Sequence, residues 1–433
     1  MVDSHVSTHR QHLRVVSSYL SKRHNRWFAA AEQGGLSACN FLFSLIVLKY
    51  SGIAVLGEYG FWFSLGQASS MIATGFAINQ MVLHVAGSSV VRQREVMGIT
   101  VGVVTFLQVL PGVLLWWAAT VRYSESFSVS LALSIICYTA TFNLAELTRQ
   151  FLYMRNRHRL SLLHATTSLS LGVITFSVIV VLIKPHSALA AAFWCLTLAQ
   201  GGYVLSAVMA SRAWRFASLP SREQAAETIG FYWTHGRFAA AGMTVTWAQN
   251  KSVTPVLALT MGNVAAGVYQ IARMIITPIN VITLGLARSA LAQIRRAWGD
   301  GDEQSLHAAI REQLRSSMIV VFCYLAVAYA ILIFMHSTEY VVLPDQLFLI
   351  LVATTLVVVL SNYRYWMSRR FAVQLQFSFL LKTGCVAAVL ALLWMAASGM
   401  LVESAALVVL GSAVGELYLI AVLKRGPRVL RST

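Results

Sequence analysis

Three cationic residues stand inside long apolar stretches of this sequence, where charge is costly. Arg237, Lys251 and Arg273 lie in two apolar runs, about 230–259 and 265–292, and neither run contains an acidic residue. An arginine or lysine at the centre of a bilayer costs about 2.5–3.5 kcal/mol on insertion scales. Cations without a resident acid suit an anionic ligand, and arginine suits phosphate because its planar fork donates two parallel hydrogen bonds.

A polar face accompanies Arg273 along the second run. Gln270, Thr277 and Asn280 share its helical spacing, which places the four residues on one side of a helix. We predict that Arg273 lies near mid-membrane and binds phosphate, with Arg237 and Lys251 along the route of that group. Lys382 in a later run is similarly deep and completes the predicted substrate-binding set.

Some of these charges have simpler explanations. Arg237 lies near the inner end of its run and Lys251 near the outer end, so each side chain can extend its charge to the membrane surface. Glu416 in the last run is a candidate ion-pair partner or coupling residue for one of the cations. With that pair formed, the spans still hold more cations than acids.

The composition of the whole chain is typical of an integral membrane protein. Of its 433 residues 57% are hydrophobic and 11% are charged, with a mean hydropathy of +0.67, whereas soluble domains have about 25% charged residues. We predict an all-α integral membrane protein with twelve transmembrane helices. The apolar runs that predict them cover 28–49, 59–86, 97–121, 127–152, 161–183, 187–210, 230–259, 265–292, 313–335, 343–368, 371–397 and 401–423.

The net charge of +17 follows from membrane topology and needs no nucleic-acid partner. With a cytoplasmic amino terminus, 26 of the 33 Lys and Arg residues fall in inner segments or at the inner ends of spans, three in outer loops or at an outer span end, and four deeper within spans. This asymmetry is the positive-inside rule, so we expect both termini in the cytoplasm. The five cysteines all fall within predicted spans without ligand spacing. We therefore expect no disulfide, metal site or cofactor.

The first and second helices have a second copy 210 residues later. Gly52, Gly57 and Tyr59 correspond to Gly262, Gly267 and Tyr269. An even number of intervening spans makes this a parallel repeat about an axis along the membrane normal. The predicted units are a basic tail or interfacial helix (1–26), a six-helix lobe (27–210), a linker (211–229), a second six-helix lobe (230–423) and a basic tail (424–433).

Polar residues also mark the first two helices of the first lobe, and Asn250 continues the pattern in the second. Glu32, Gln33 and Asn40 lie on the first helix and Gln67 on the second. They either pack helix against helix or line a wet cavity. Their spacing alone leaves both readings open.

Two six-helix lobes, polar leading helices and the Gly-x4-Gly-x-Tyr turn resemble the multidrug/oligosaccharidyl-lipid/polysaccharide (MOP) exporter superfamily. Within it the chain resembles the Wzx-type flippases. The resemblance implies a V-shaped pair of lobes around a central cavity that alternates in access. It implies transport of an undecaprenyl-pyrophosphate-linked oligosaccharide from the cytoplasmic to the periplasmic leaflet of a bacterial inner membrane, for O-antigen, exopolysaccharide or capsule. Cavity cations would engage the pyrophosphate.

The expected partners are the lipid-linked oligosaccharide and membrane lipid, with polysaccharide polymerase or export machinery as further candidates. A drug/cation antiporter of the same fold is the first alternative, but it would place acids in the cavity. A membrane polymerase or ligase is the second alternative, and it would need a large outer loop. No catalytic residue is expected, because the longest outer connection, around 336–344, is short.

Overall fold

The computed structural model describes residues 3–85, 88–122, 128–155, 157–183, 188–211, 221–279, 283, 303–337, 346–373 and 377–425. Within these ranges the chain is all-helical, and nine segments are long and apolar enough to cross a membrane. One of them, Gly34–Val82, contains two spans. Two more helices, α7 and α8 below, complete the twelve that the sequence predicts.

One hydrogen-bonded helix runs over Asp3–Ala73, and its single non-helical residue, Gly52, divides it in two. The twelve helices are α1 (3–51), α2 (53–73, continued by Thr74–Ile78 and Asn79–Val85), α3 (Val90–Leu107 and Val109–Arg122), α4 (Val129–Met154), α5 (His158–Val178, continued by Ile179–Ile183), α6 (Ala188–Ser211), α7 (Arg222–Phe231, Tyr232–Gly236, Arg237–Asn250 and Val253–Thr260), α8 (263–279), α9 (Glu303–Ser337), α10 (Leu347–Val373), α11 (Phe377–Ala397, continued by Ser398–Val402) and α12 (Ala405–Arg425).

The glycines of the two repeated turns have similar, positive φ angles. Gly52 between α1 and α2 has a φ of 83°, and Gly262 between α7 and α8 has a φ of 88°. Side chains rarely tolerate this left-handed region, so glycine is required at both turns. We call the end of the molecule that carries these glycines the turn end, which the loop charges predict to be outer.

The two lobes meet at the turn end in a contact that obeys the repeat. A Cβ on Gly57 would lie 1.8 Å from the carbonyl oxygen of Asn263, and one on Gly267 would lie 2.1 Å from that of Ile53. The two contacts are equivalent under the repeat, because Gly57 corresponds to Gly267 and Ile53 corresponds to Asn263 after a shift of 210 residues. Arg122 of α3 adds a hydrogen bond of 2.6 Å to the Asn263 side chain. Helices α2 and α8 therefore cross backbone against backbone and seal this end.

The opposite end, which we call the linker end, holds α7 against the first lobe. A Cβ on Gly236 would lie 2.2 Å from the Phe76 carbonyl oxygen, and one on Gly75 would lie 2.6 Å from the Ala240 Cα. Buried Tyr232 shares a 2.6 Å hydrogen bond with Thr100 of α3. The first part of α7 thus packs on α2 and α3, although it belongs to the second lobe in sequence.

Several predicted boundaries differ from the structure. Residues 222–229 of the predicted linker are helical and continuous with α7, because Ser221 and Gln224 form a capping box. The segment predicted as a basic tail or interfacial helix (1–26) is helical from residue 3 and continues along α1 without a break. Helix α10 continues to Val373, and α12 begins only at Ala405, since residues 398–402 complete α11.

Candidate functional site

Helix α7 is broken at Lys251–Ser252, and a proline explains the break. Pro255 has no N–H, so the carbonyl of Lys251, four residues earlier, has no helical donor. The hydroxyl of Ser64 on α2 donates to that carbonyl at 2.6 Å. Pro255 therefore interrupts the helical hydrogen bonding of α7.

The break brings two cations together. Arg273 of α8 lies close enough to Lys251 for the two charges to repel each other. The guanidinium carbon of Arg273 lies 5.9 Å from the centroid of the Tyr269 ring, and both cations are half-buried. In the part of the chain that the structure describes, neither makes a salt bridge to a carboxylate.

Polar groups around the cation pair follow the predicted face. Gln270 donates to the Thr254 hydroxyl at 3.2 Å, and Thr277 donates to the Arg273 carbonyl at 2.7 Å. The Oδ1 atom of Asn250 is buried without a hydrogen-bond partner among the described groups. Asn280, the fourth residue of the predicted face, lies outside the described residues. The site therefore combines two cations with a polar helix face.

The acid predicted to line the cavity in the first lobe has another role. Glu32 is fully buried and accepts hydrogen bonds from Arg149 at 2.7 Å, Tyr153 at 2.7 Å and Ser161 at 3.0 Å. Arg149 also pairs with Glu146. Because Glu32 is enclosed by α4 and α5, it ties its lobe together and does not line an open cavity.

Glu416 forms an ion pair, but not with any of the predicted cations. Its fully buried carboxylate accepts from Arg364 of α10 and from the Ser361 hydroxyl, the latter at 2.9 Å. Arg364 lies near one end of the candidate span Leu347–Ser368. Glu32, Glu146 and Glu416 therefore all pair with arginines other than Arg273.

The remaining predicted site residues do not join the cation pair. Arg237 is exposed and lies over the Phe238 ring, with 4.8 Å from its guanidinium carbon to the ring centroid. Lys382 is exposed on α11, on a face shared with exposed Cys385 and Val386. Asn40 and Gln67 are half-buried on α1 and α2. The side chain of Gln33 lies outside the described part of the structure.

Two residues of the site escaped sequence reasoning. Ser64 donates to the Lys251 carbonyl, and Trp247 donates from its indole N–H to the Ser64 carbonyl at 2.9 Å. The proline offset predicts that the Lys251 carbonyl needs a donor, but no pattern says which helix supplies it. The described residues contain no cluster of three metal-binding side chains.

Similar solved structures define the class of fold. One described as an inward-facing multidrug resistance MATE family transporter of the MOP superfamily matches with a TM-score of 0.66 at 14% identity, over 88% of this chain and 92% of that one. An outward-facing one matches with a TM-score of 0.58 at 13% identity, over 94% and 95%. A MOP superfamily transporter from Pyrococcus furiosus matches with a TM-score of 0.60 at 14% identity, over 94% and 95%.

The chain therefore shares the MATE-like fold of these MOP superfamily structures, and this agrees with the fold that the sequence resemblance implied. No protein-family model matches the sequence, and a search of curated proteins found no significant match. At these identities the likeness concerns the fold, so the cargo must be inferred from the site.

Proposed function

We propose that this protein is a transporter that moves an undecaprenyl-pyrophosphate-linked oligosaccharide across a bacterial inner membrane, with Arg273 and Lys251 binding the pyrophosphate. The observation that carries the proposal is their pairing at the α7 break without a carboxylate among the described residues. Like charges held together at membrane depth are costly. When the pyrophosphate dianion binds, it offsets that cost and accepts charge-assisted hydrogen bonds from the two cations.

The pairing of the buried acids with arginines argues against the alternative function, a drug/cation antiporter. A site for Na⁺ or cationic drugs needs an available carboxylate, and both Glu32 and Glu416 are fully buried against arginines. The transporter from Pyrococcus furiosus is described as having a binding pocket of reverse polarity that suggests a different function. A change of cargo within this fold is therefore reasonable, and a cationic site favours an anionic cargo.

Transport in vesicles tests the proposal. Purified protein in liposomes should move a fluorescent polyprenyl-pyrophosphate oligosaccharide between leaflets. Arg273→Ala should abolish the movement, and Arg273→Lys should lose most of it, since an ammonium lacks the bidentate fork. Arg425→Ala, at the exposed end of α12, is the matched cation control. Wild-type transport by Arg273→Ala at equal protein level contradicts the proposal.

Orientation belongs to the same proposal and has its own test. We propose that both termini and the linker face the cytoplasm, as the charge distribution predicts. Ser221 is exposed at the start of α7, so a cysteine there should react with an impermeant reagent only from the cytoplasmic side. Labelling of Ser221→Cys from outside intact cells contradicts this topology.

A further inference from the structure

The α7 break is held from both lobes at once. Buried Ser64 of the first lobe donates its hydroxyl to the Lys251 carbonyl at 2.6 Å, and it accepts from the Trp247 indole at 2.9 Å through its own carbonyl. We call this pair of bonds the Ser64 bridge. It joins α2 to α7 on both sides of Asn250, directly beside the cation pair.

The chemistry of the break explains why a donor is needed there. Pro255 removes the amide that would bond the Lys251 carbonyl, and a buried polar group without a partner is destabilising. The nearby Gln249 carbonyl accepts from Ser412 of α12 at 2.8 Å. One serine therefore comes from the same lobe and one from the other lobe. When the lobes separate, the two bonds of the Ser64 bridge are lost and the bond from Ser412 is kept.

We propose that Ser64 is a positioning residue that fixes Lys251 beside Arg273 only while α2 and α7 are in contact. The inference rests on the proposed function, because it assigns the cation pair a diphosphate ligand. When the lobes separate, the Lys251 carbonyl loses its hydrogen-bond donor. The backbone of Lys251 is then no longer held in place, and neither is the side-chain ammonium that it carries. The site then binds diphosphate less tightly, so lobe separation and ligand release are linked. By the same linkage, bound diphosphate favours contact between the lobes.

Binding of inorganic pyrophosphate to the purified full-length protein, followed by calorimetry, tests the role of Ser64. Ser64→Ala should weaken binding about 2–12-fold, the range expected for one hydrogen bond. Ser64→Thr keeps the hydroxyl and should bind like wild type, and Ser64→Cys, with its weaker donor, should be intermediate. Ser70→Ala is the matched control, because that hydroxyl donates to Gly66 of its own helix.

A double-mutant cycle separates positioning from a general loss of packing. Pro255→Ala returns an amide to the Lys251 carbonyl, so Ser64→Ala should then have no effect on pyrophosphate affinity. An equal loss in both backgrounds overturns the inference, as does wild-type affinity in Ser64→Ala. Failure of the wild-type protein to bind pyrophosphate contradicts instead the proposed function itself. If Ser64→Ala does not fold, the Thr and Cys variants decide the question.

Discussion

The two lobes place different side chains on the same scaffold. In the first lobe Phe63 stacks on Tyr59, with 5.7 Å between ring centroids. In the second lobe Arg273 occupies the equivalent position above Tyr269, at 5.9 Å. An aromatic ring that supports another ring also supports a guanidinium group, through a cation–π interaction. The repeat thus preserves the backbone, and the chemistry of one lobe can change without a change of fold.

Charge is handled differently in the two lobes. Arg149 in the first lobe is enclosed by Glu32 and Glu146 and lies over the Tyr203 ring. Arg273 in the second lobe has Lys251 as its charged neighbour. The first arrangement stabilises a folded lobe, whereas the second leaves two cations without a carboxylate among the described residues, which is the basis of the proposed ligand site. Burial of an arginine is therefore not sufficient to identify a binding residue, and its partners decide.

The largest expected effect separates these two arginines. Arg149→Ala leaves Glu32 buried without its cation, which should destabilise the protein by about 3–5 kcal/mol. Arg273→Ala removes a charge that repels Lys251, so its melting temperature in detergent should equal or exceed that of wild type. A fall in melting temperature that is as large for Arg273→Ala as for Arg149→Ala would show that Arg273 has a resident structural partner.

Exchanging the aligned residues tests whether the scaffold is truly shared. Phe63→Arg inserts a charge into the stack that Phe63 forms with Tyr59 and Tyr138, and it should cost about 2.5–3.5 kcal/mol. Arg273→Phe should fold normally and lose transport. The double exchange should not restore transport, because Phe41 stands where the second lobe has Lys251. Recovery of transport in the double exchange would contradict a binding site whose cations both come from the second lobe.

The glycine crossing tests the symmetry of the two lobes. Gly57→Ala and Gly267→Ala each place a methyl group against a carbonyl of the other lobe, and each should destabilise by about 1–3 kcal/mol through overpacking. Their melting temperatures should fall by similar amounts. Gly242→Ala is the control, since nothing lies within 4 Å of its Cβ position. A loss confined to one of the two glycines would show that the crossing is not equivalent on both sides.

The sequence predicted the features that follow from helical and repeat periodicity. It did not predict the contacts between side chains of different helices. Run length and the 210-residue repeat predicted the helices and the paired turns at Gly52 and Gly262. The roles of Glu32 and Glu416 were not predictable, because Arg149 and Arg364 reach them from helices distant in sequence. Ion pairs between helices leave no periodic signal, and an arginine near a span end resembles a loop charge.

The smallest expected effect concerns pH and contrasts the linker end with the turn end. At the linker end His84 stacks on Phe231, with 4.6 Å between ring centroids, and its Nε2 lies 3.7 Å from Glu227. Burial lowers the pKa of His84 below its ordinary value, and Arg92 adds to the shift while Glu227 opposes it. The turn-end seal of Ile53, Gly57, Arg122, Asn263 and Gly267 contains no histidine.

Because the pKa of His84 is lower in the folded protein than in the unfolded chain, the unfolded chain binds protons more readily. The neutral side chain therefore contributes stability that is fully present above the unfolded value of about 6.5 and is lost as the pH falls below it. Between pH 7.5 and 5.5 the melting temperature of wild type should decline more than that of His84→Gln. Equal declines would show that the linker-end contact does not depend on the charge of His84.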